Sequence, residues 1–205
     1  LLTSPNLAAI LDTNIIIEAI LKYLPVLREI GITLLMALAL FLGIHYTLQN
    51  TEVTSGSMLP TLSIGERLFI NKLAYKFGSL PERGDIIVFA PPPEADPISE
   101  TDYIKRVIGL PGEVVEIKNA TVKIHKTDGT IITLDEPYIA AEPYYTYTSP
   151  VIPAGNYFVM GDNRNYSGDS HKGWTVPCDN IVGKAWFVTW PFSKSGTAPN
   201  YNLPS

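Results

Sequence analysis

Residues 30–50 read IGITLLMALALFLGIHYTLQN, an unbroken run without Asp, Glu, Lys or Arg. About 20 residues at a rise of about 1.5 Å reach about 30 Å, the thickness of a hydrocarbon core. The run is apolar on every side, and the chain after it reads as short strands. It therefore predicts a transmembrane helix over 30–50 rather than a helix buried in a soluble core. A cleaved leader fits less well: the run is long, and Ala37-Leu38-Ala39 falls inside it, not after it. His45 falls in the outer turns, at headgroup depth, and is given no role.

Residues 1–29 read as a separate N-terminal segment. Leu7 to Leu27 carry helical apolar spacing interrupted by Asp12, Glu18, Lys22 and Pro25. This fits an amphipathic helix that is interfacial or cytoplasmic, with a second span as the alternative. Lys22 and Arg28 precede the apolar run, a faint basic bias that places this end on the cytoplasmic side.

After Asn50 the texture changes. Short β-rich runs appear at Arg67–Ile70, Asp85–Phe89, Tyr103–Ile108, Val114–Ile117, Thr121–His125, Ile131–Leu134, Asn156–Met160 and Ile181–Thr189, separated by Gly, Pro and Asp. Many short strands with such punctuation predict an all-β domain. The fold class expected is mainly β, with one N-terminal transmembrane helix. The chain of 205 residues carries a net charge of −5 and no Lys/Arg stripe, which excludes a nucleic-acid partner. A single cysteine, Cys178, excludes an internal disulfide framework. His45, His125 and His171 are scattered and lack Cys or helix-spaced carboxylate partners, so neither a metal site nor a cofactor is expected. Nothing in the pattern speaks to an oligomeric state.

Three segments carry chemistry. Ser55-Gly56-Ser57-Met58-Leu59-Pro60-Thr61-Leu62 follows the apolar run, so a serine there would work at a membrane surface. Alone, Ser-Gly-Ser is an ordinary turn. In Tyr103-Ile104-Lys105-Arg106-Val107-Ile108, alternation puts Tyr103, Lys105 and Val107 on one face and Arg106 on the other. One of the two cations would then face inward, although an exposed strand lysine is the commoner case. Gly161-Asp162-Asn163-Arg164-Asn165-Tyr166-Ser167-Gly168-Asp169-Ser170-His171 is a polar loop. Turn chemistry accounts for Asp162 and Asn163. It does not account for Arg, Ser, Asp and His crowding beside them.

Taken together these segments resemble signal peptidase I. The family's S-x-S-M-x-P-T-L, R-G-D-I-V-x-F, Y-I-K-R-V-x-G-x-P-G and G-D-N-R-x-x-S-x-D-S-R appear here as Ser55–Leu62, Arg83–Phe89, Tyr103–Gly112 and Gly161–His171. They come in that order, and the likeness runs from the apolar span to about Pro191. Arg83-Gly84-Asp85 is then a strand entrance, not an adhesion motif. Two positions depart from the pattern. Thr54 stands where a proline is usual, and His171 stands for the final arginine, as in the cyanobacterial and plastid branch. With His171 the ionic contact to Asp169 becomes pH-dependent.

The resemblance implies an anchor at 30–50, a catalytic β-domain at 51–113 and 154–192, a small β insert at 114–153 and a tail at 193–205. It makes Ser57 the nucleophile and Lys105 its general base. The Ser57 N–H and Ser55 hydroxyl become oxyanion donors, Ser167 the group that orients the amine, and Asp169 the support of the Ser167 loop, with His171 beside it. Substrate would add as a strand between the Ser55 segment and Asp102–Lys105, with Val53, Leu62, Tyr103 and Ile104 lining pockets for small side chains. The implied partners are signal-peptide-bearing pre-proteins and the lipid bilayer. The implied place is a plasma or thylakoid membrane, crossed once, with the catalytic domain on the extracytoplasmic side. Lysine ordinarily titrates near 10.4, so such a base must be desolvated. Three other readings compete: a Ser57–His171–Asp169 hydrolase, a self-cleaving repressor with Ser-Lys chemistry, and a membrane-anchored β-domain that binds exported chains without cutting them. The repressor would need a DNA-binding N-terminus and no span, contrary to the reading of residues 1–50.

Overall fold

The computed structural model describes residues 7–99 and 101–204. Residues 1–6 of the expected N-terminal segment lie outside the described residues. The chain forms two compact units, divided between Tyr46 and Thr47.

In the first unit one continuous helix, α1 (Leu7–Thr47), replaces the two separate segments expected over 1–29 and 30–50. Pro25 sits inside it. Within it Ile20–Thr47 is long and apolar enough to cross a membrane, about 42 Å at helical rise. Its large side chains stand open, Leu34, Leu35 and Met36 among them. Such open apolar surface is consistent with a membrane anchor. The helix stops at Thr47 rather than Asn50. Leu48, Gln49 and Asn50 instead pair with Asn71, Ile70 and Phe69 as the start of a strand. The polar Gln-Asn-Thr end of the run gains ladder hydrogen bonds there.

The second unit is built from antiparallel sheets. The larger contains β1 (Leu48–Glu52), β2 (Arg67–Asn71), β3 (Ile86–Phe89), β4 (Tyr103–Gly109), β9 (Asn156–Met160), β10 (Val176–Pro177), β11 (Ile181–Trp190) and β12 (Gly196–Thr197). The order is β1-β2-β11-β3-β4-β9-β10, with β12 on β11. The smaller contains β5 (Val114–Lys118), β6 (Thr121–His125), β7 (Ile131–Thr133) and β8 (Tyr147–Thr148), in the order β7-β6-β5-β8. All eight strands expected from sequence are present. The unexpected ones, β1, β8, β10 and β12, are short or polar and are held by pairing rather than by an apolar pattern.

Burial explains the two textures. β3 reads Ile-Ile-Val-Phe and is buried on both faces, as a central strand covered above and below must be. Its Ile86 and Val88 join one cluster with Met58, Leu62 and Ile104. Its Ile87 and Phe89 join another with Val107, Tyr157 and Trp174. β5 and β6 instead alternate, because only one of their faces packs. Their hairpin closes on Asn119 and Ala120, at φ of 50° and 63°, the left-handed pair that matches strand twist.

Within the stretch read as a tail over 193–205, residues 196–204 pack on the second unit, and Ala198 is buried in its core. Ala198 N–H donates to Trp186 O, and the Asn200 side chain accepts from Ile86 N–H and donates to Ala185 O. Pro204 O accepts from Arg83 Nε. Gly84, at φ 95°, leaves no room for a Cβ beside the Tyr201 carbonyl. Arg83, Gly84 and Asp85 are all buried, which rules out the adhesion reading.

Candidate active site

Ser57 sits in a single 3₁₀ turn, Gly56–Met58, whose Met58 is fully buried and fixes the turn to the core. Asn163 holds the turn from the far side: its N–H donates to Ser57 O at 2.9 Å and its side-chain amide to Gly56 O at 3.0 Å. Sequence reasoning assigned Asn163 only to turn chemistry. Its reach to residues more than 100 positions away in sequence is a tertiary fact.

Lys105 lies in the middle of β4, opposite Ile87 of β3. Its Nζ is 2.7 Å from Ser57 Oγ and 3.1 Å from Ile104 O. The residue is only 4% exposed. Burial lowers the amine from its ordinary 10.5 to about 8, against the opposing pull of Asp169 and Asp162. Ser55 Oγ stands 3.3 Å from Ser57 Oγ.

Alternation promised that Lys105 and Arg106 point opposite ways with one of them inward. Both are inward, because β4 is covered on both faces. Arg106 is fully buried, forks onto Asp162 at 2.9 and 2.7 Å, and stacks 4.1 Å from the Tyr138 ring. A buried guanidinium needs such a partner, so Asp162 belongs to the frame of the site. Nothing in its local sequence assigned it there.

The polar loop folds against the same turn. Asp169 is fully buried and accepts from Gly161 N–H at 2.9 Å and from His171 Nδ1 at 2.6 Å. The His171 ring stacks on Tyr145 at 4.4 Å. Arg164 pairs with Glu136, tying the loop to the connection after β7. The expected bond from Ser167 to the amine is not made. The Ser167 hydroxyl is buried against Gly161 without a hydrogen-bond partner among the described residues, and the amine's second partner is the Ile104 carbonyl.

A groove of about 540 Å³ opens onto the pair. Val53, Asp102, Tyr103 and Ile104 line it, together with Ser55, Ser57 and Lys105. Leu62 does not: it is fully buried in the core cluster beneath, because the turn after Pro60 carries it inward. Tyr166 and Asn163, which the sequence did not suggest as lining residues, do line it. A triad of Ser57, His171 and Asp169 is not assembled. The Ser57 hydroxyl meets Lys105 and Ser55, while His171 faces a separate cavity of about 240 Å³ beside Arg164 and Tyr145. Among the described residues no cluster of His, Cys, Asp and Glu is arranged to hold a metal ion.

A mainly-β domain preceded by an apolar helix, with a serine hydroxyl on a buried amine, has the layout of a membrane-linked serine hydrolase. Comparison with known proteins agrees. The family model described as signal peptidase, peptidase S26, matches residues 26–190. A signal peptidase I of Leptolyngbya laminosa is 39% identical over 174 residues, covering 83% of this chain and 81% of that protein. A probable signal peptidase I-1 of Synechocystis is 43% identical over 175 residues, covering 83% and 86%. A solved signal peptidase I from Enterococcus faecalis is 32% identical, covers 52% of this chain and 97% of its own, and superposes with a TM-score of 0.43. The chain belongs to the signal peptidase I family, serine peptidases of the S26 type that cleave signal peptides.

Proposed function

We propose that the chain cuts signal peptides with a Ser57–Lys105 dyad, after small residues in an A-x-A pattern, on the extracytoplasmic face of the membrane that its apolar helix spans. The observation that carries this is the 2.7 Å approach of a buried amine to the Ser57 hydroxyl. An amine titrating at about 8 is partly neutral near neutral pH, and its free lone pair accepts the hydroxyl proton as Ser57 Oγ attacks the scissile carbonyl. Once protonated, the amine faces Ser57 Oγ and then the leaving nitrogen, so the oxyanion falls to the Ser57 N–H and the Ser55 hydroxyl. One such donor is typically worth about 3 kcal/mol in the transition state. Lys105 then passes its proton to the leaving amine. A water, deprotonated by the same lysine, releases the acyl group from Ser57.

The groove between residues 51–57 and 101–105 suits an extended substrate strand. Asp169 and Asn163 are positioning residues. Asp169 fixes Gly161, where a Cβ would collide with Ser167 and with the Ser57 carbonyl, and Asn163 fixes the nucleophile turn.

The test is a pH–rate profile on a precursor with an A-x-A site, using the whole chain in detergent. Wild type should show kcat/KM rising with pH to a plateau above about 8. Lys105→Ala should remove both the activity and the limb. Cleavage that survives Lys105→Ala refutes the dyad, and no cleavage by wild type favours a binding module.

A further inference from the structure

The groove's charge is lopsided. Among its described lining residues, Lys105 is the one base, while Glu52 and Asp102 supply carboxylates from opposite walls. Glu52 closes β1 and shares its charge with Arg67, 3.1 Å away on β2 and half exposed. Asp102 immediately precedes β4, is exposed, and has no ion-pair or hydrogen-bond partner among the described residues. Behind the lysine lie two further acids, Asp162 held by Arg106 and Asp169 held by His171. The remaining polar lining residues, among them Thr51, Thr101, Tyr166 and Asn163, are neutral.

The dyad does not require these two rim carboxylates. Neither touches Ser57 or Lys105, and both stand where a strand in the groove would pass. We propose that Glu52 and Asp102 form a charge filter that favours precursors with basic or neutral residues beside the cleaved bond and disfavours acidic ones. The inference rests on the Ser57–Lys105 reading, which makes this groove the substrate site. Like charges brought together in a partly desolvated groove repel, and salt screens the effect over about 10 Å at 0.1 M. Small residues at the first and third positions before the bond would be read by shape. The charge filter acts on the second position before the bond and the first two after it.

The test uses A-x-A peptides that differ only in carrying Lys, Gln or Glu at one of those three positions. At low ionic strength wild type should cleave the Lys peptide about 3- to 10-fold faster in kcat/KM than the Glu peptide at one or more of them. Asp102→Asn combined with Glu52→Gln should bring that ratio to about 1, and so should about 0.5 M salt. Comparing ratios within each variant cancels any general loss of activity. The same ranking should appear in the affinity of Ser57→Ala for the uncut peptides. A ratio of 1 in wild type, a preference for Glu, or a preference that survives the double substitution overturns the filter. Cleavage that persists in Ser57→Ala, or is absent from wild type, instead overturns the dyad, and the affinity ranking still decides the filter.

Discussion

Replacing Lys105 by Met should trade activity for acid-side stability. The folded amine titrates at about 8 instead of 10.5, because burial opposes its charge. Between those two values the unfolded chain binds more protons than the folded one, so wild-type stability rises with pH through that window. Below about 8 the folded protein carries the full cost of a charged buried amine, about 3 kcal/mol at about 1.4 kcal/mol per pH unit. The Met side chain has similar length and no charge, so its variant lacks this dependence. It also leaves Ser57 Oγ and Ile104 O without their donor, a loss of about 1 kcal/mol each that does not vary with pH. The diagnostic quantity is therefore the change in the stability difference with pH. From pH 6 to pH 10, wild type should gain about 2.5 kcal/mol relative to Lys105→Met. Urea unfolding of the detergent-held chain, followed by tryptophan fluorescence at several pH values, measures it. A difference that stays constant across that range would refute the buried neutral amine, and with it the base.

Further outcomes follow from the same geometry. Asp162→Asn should cost about 3–5 kcal/mol in unfolding free energy, since it strands a fully buried Arg106; a loss under about 1 kcal/mol would mean the pair is not buried as described. Gly161→Ala should cut kcat about 100-fold or more, because its methyl meets Ser167 and the Ser57 carbonyl and shifts the nucleophile; wild-type rates would show that the loop yields freely. His171→Ala should keep most of the activity at neutral pH, as the ring contacts Asp169 and Tyr145 rather than Ser57; abolition with the fold intact would revive the triad. Removing residues 196–205 should lower the unfolding midpoint markedly, because it strips partners from Trp186, Arg83 and Ala185; an unchanged midpoint would make that stretch dispensable.

What was legible in the sequence is what short-range pattern encodes. An apolar run without charge announces a helix able to cross a membrane, and Ile-Ile-Val-Phe or Val-Val-Glu-Ile announces a strand by the number of its buried faces. Ser57 and Lys105 were legible through the family likeness, since the residues around each read locally as an ordinary turn and an ordinary strand. The end of the helix was misplaced by three residues. Nothing in Leu48-Gln49-Asn50 says that Asn71, Ile70 and Phe69 wait to pair with it.

Sequence alone determined the element types, the charge balance and the residues able to do chemistry, because these depend on neighbours within a few positions. Tertiary structure alone decided that Lys105 and Arg106 are both buried, that Leu62 belongs to the core and not the groove, and that Ser167 packs on Gly161 instead of reaching the amine. It also decided that Asn163 holds the Ser57 turn and that Asp162 pairs with the buried Arg106. The reason is desolvation: a lysine becomes a base only when distant strands exclude water from it, and no local pattern records which strands those are.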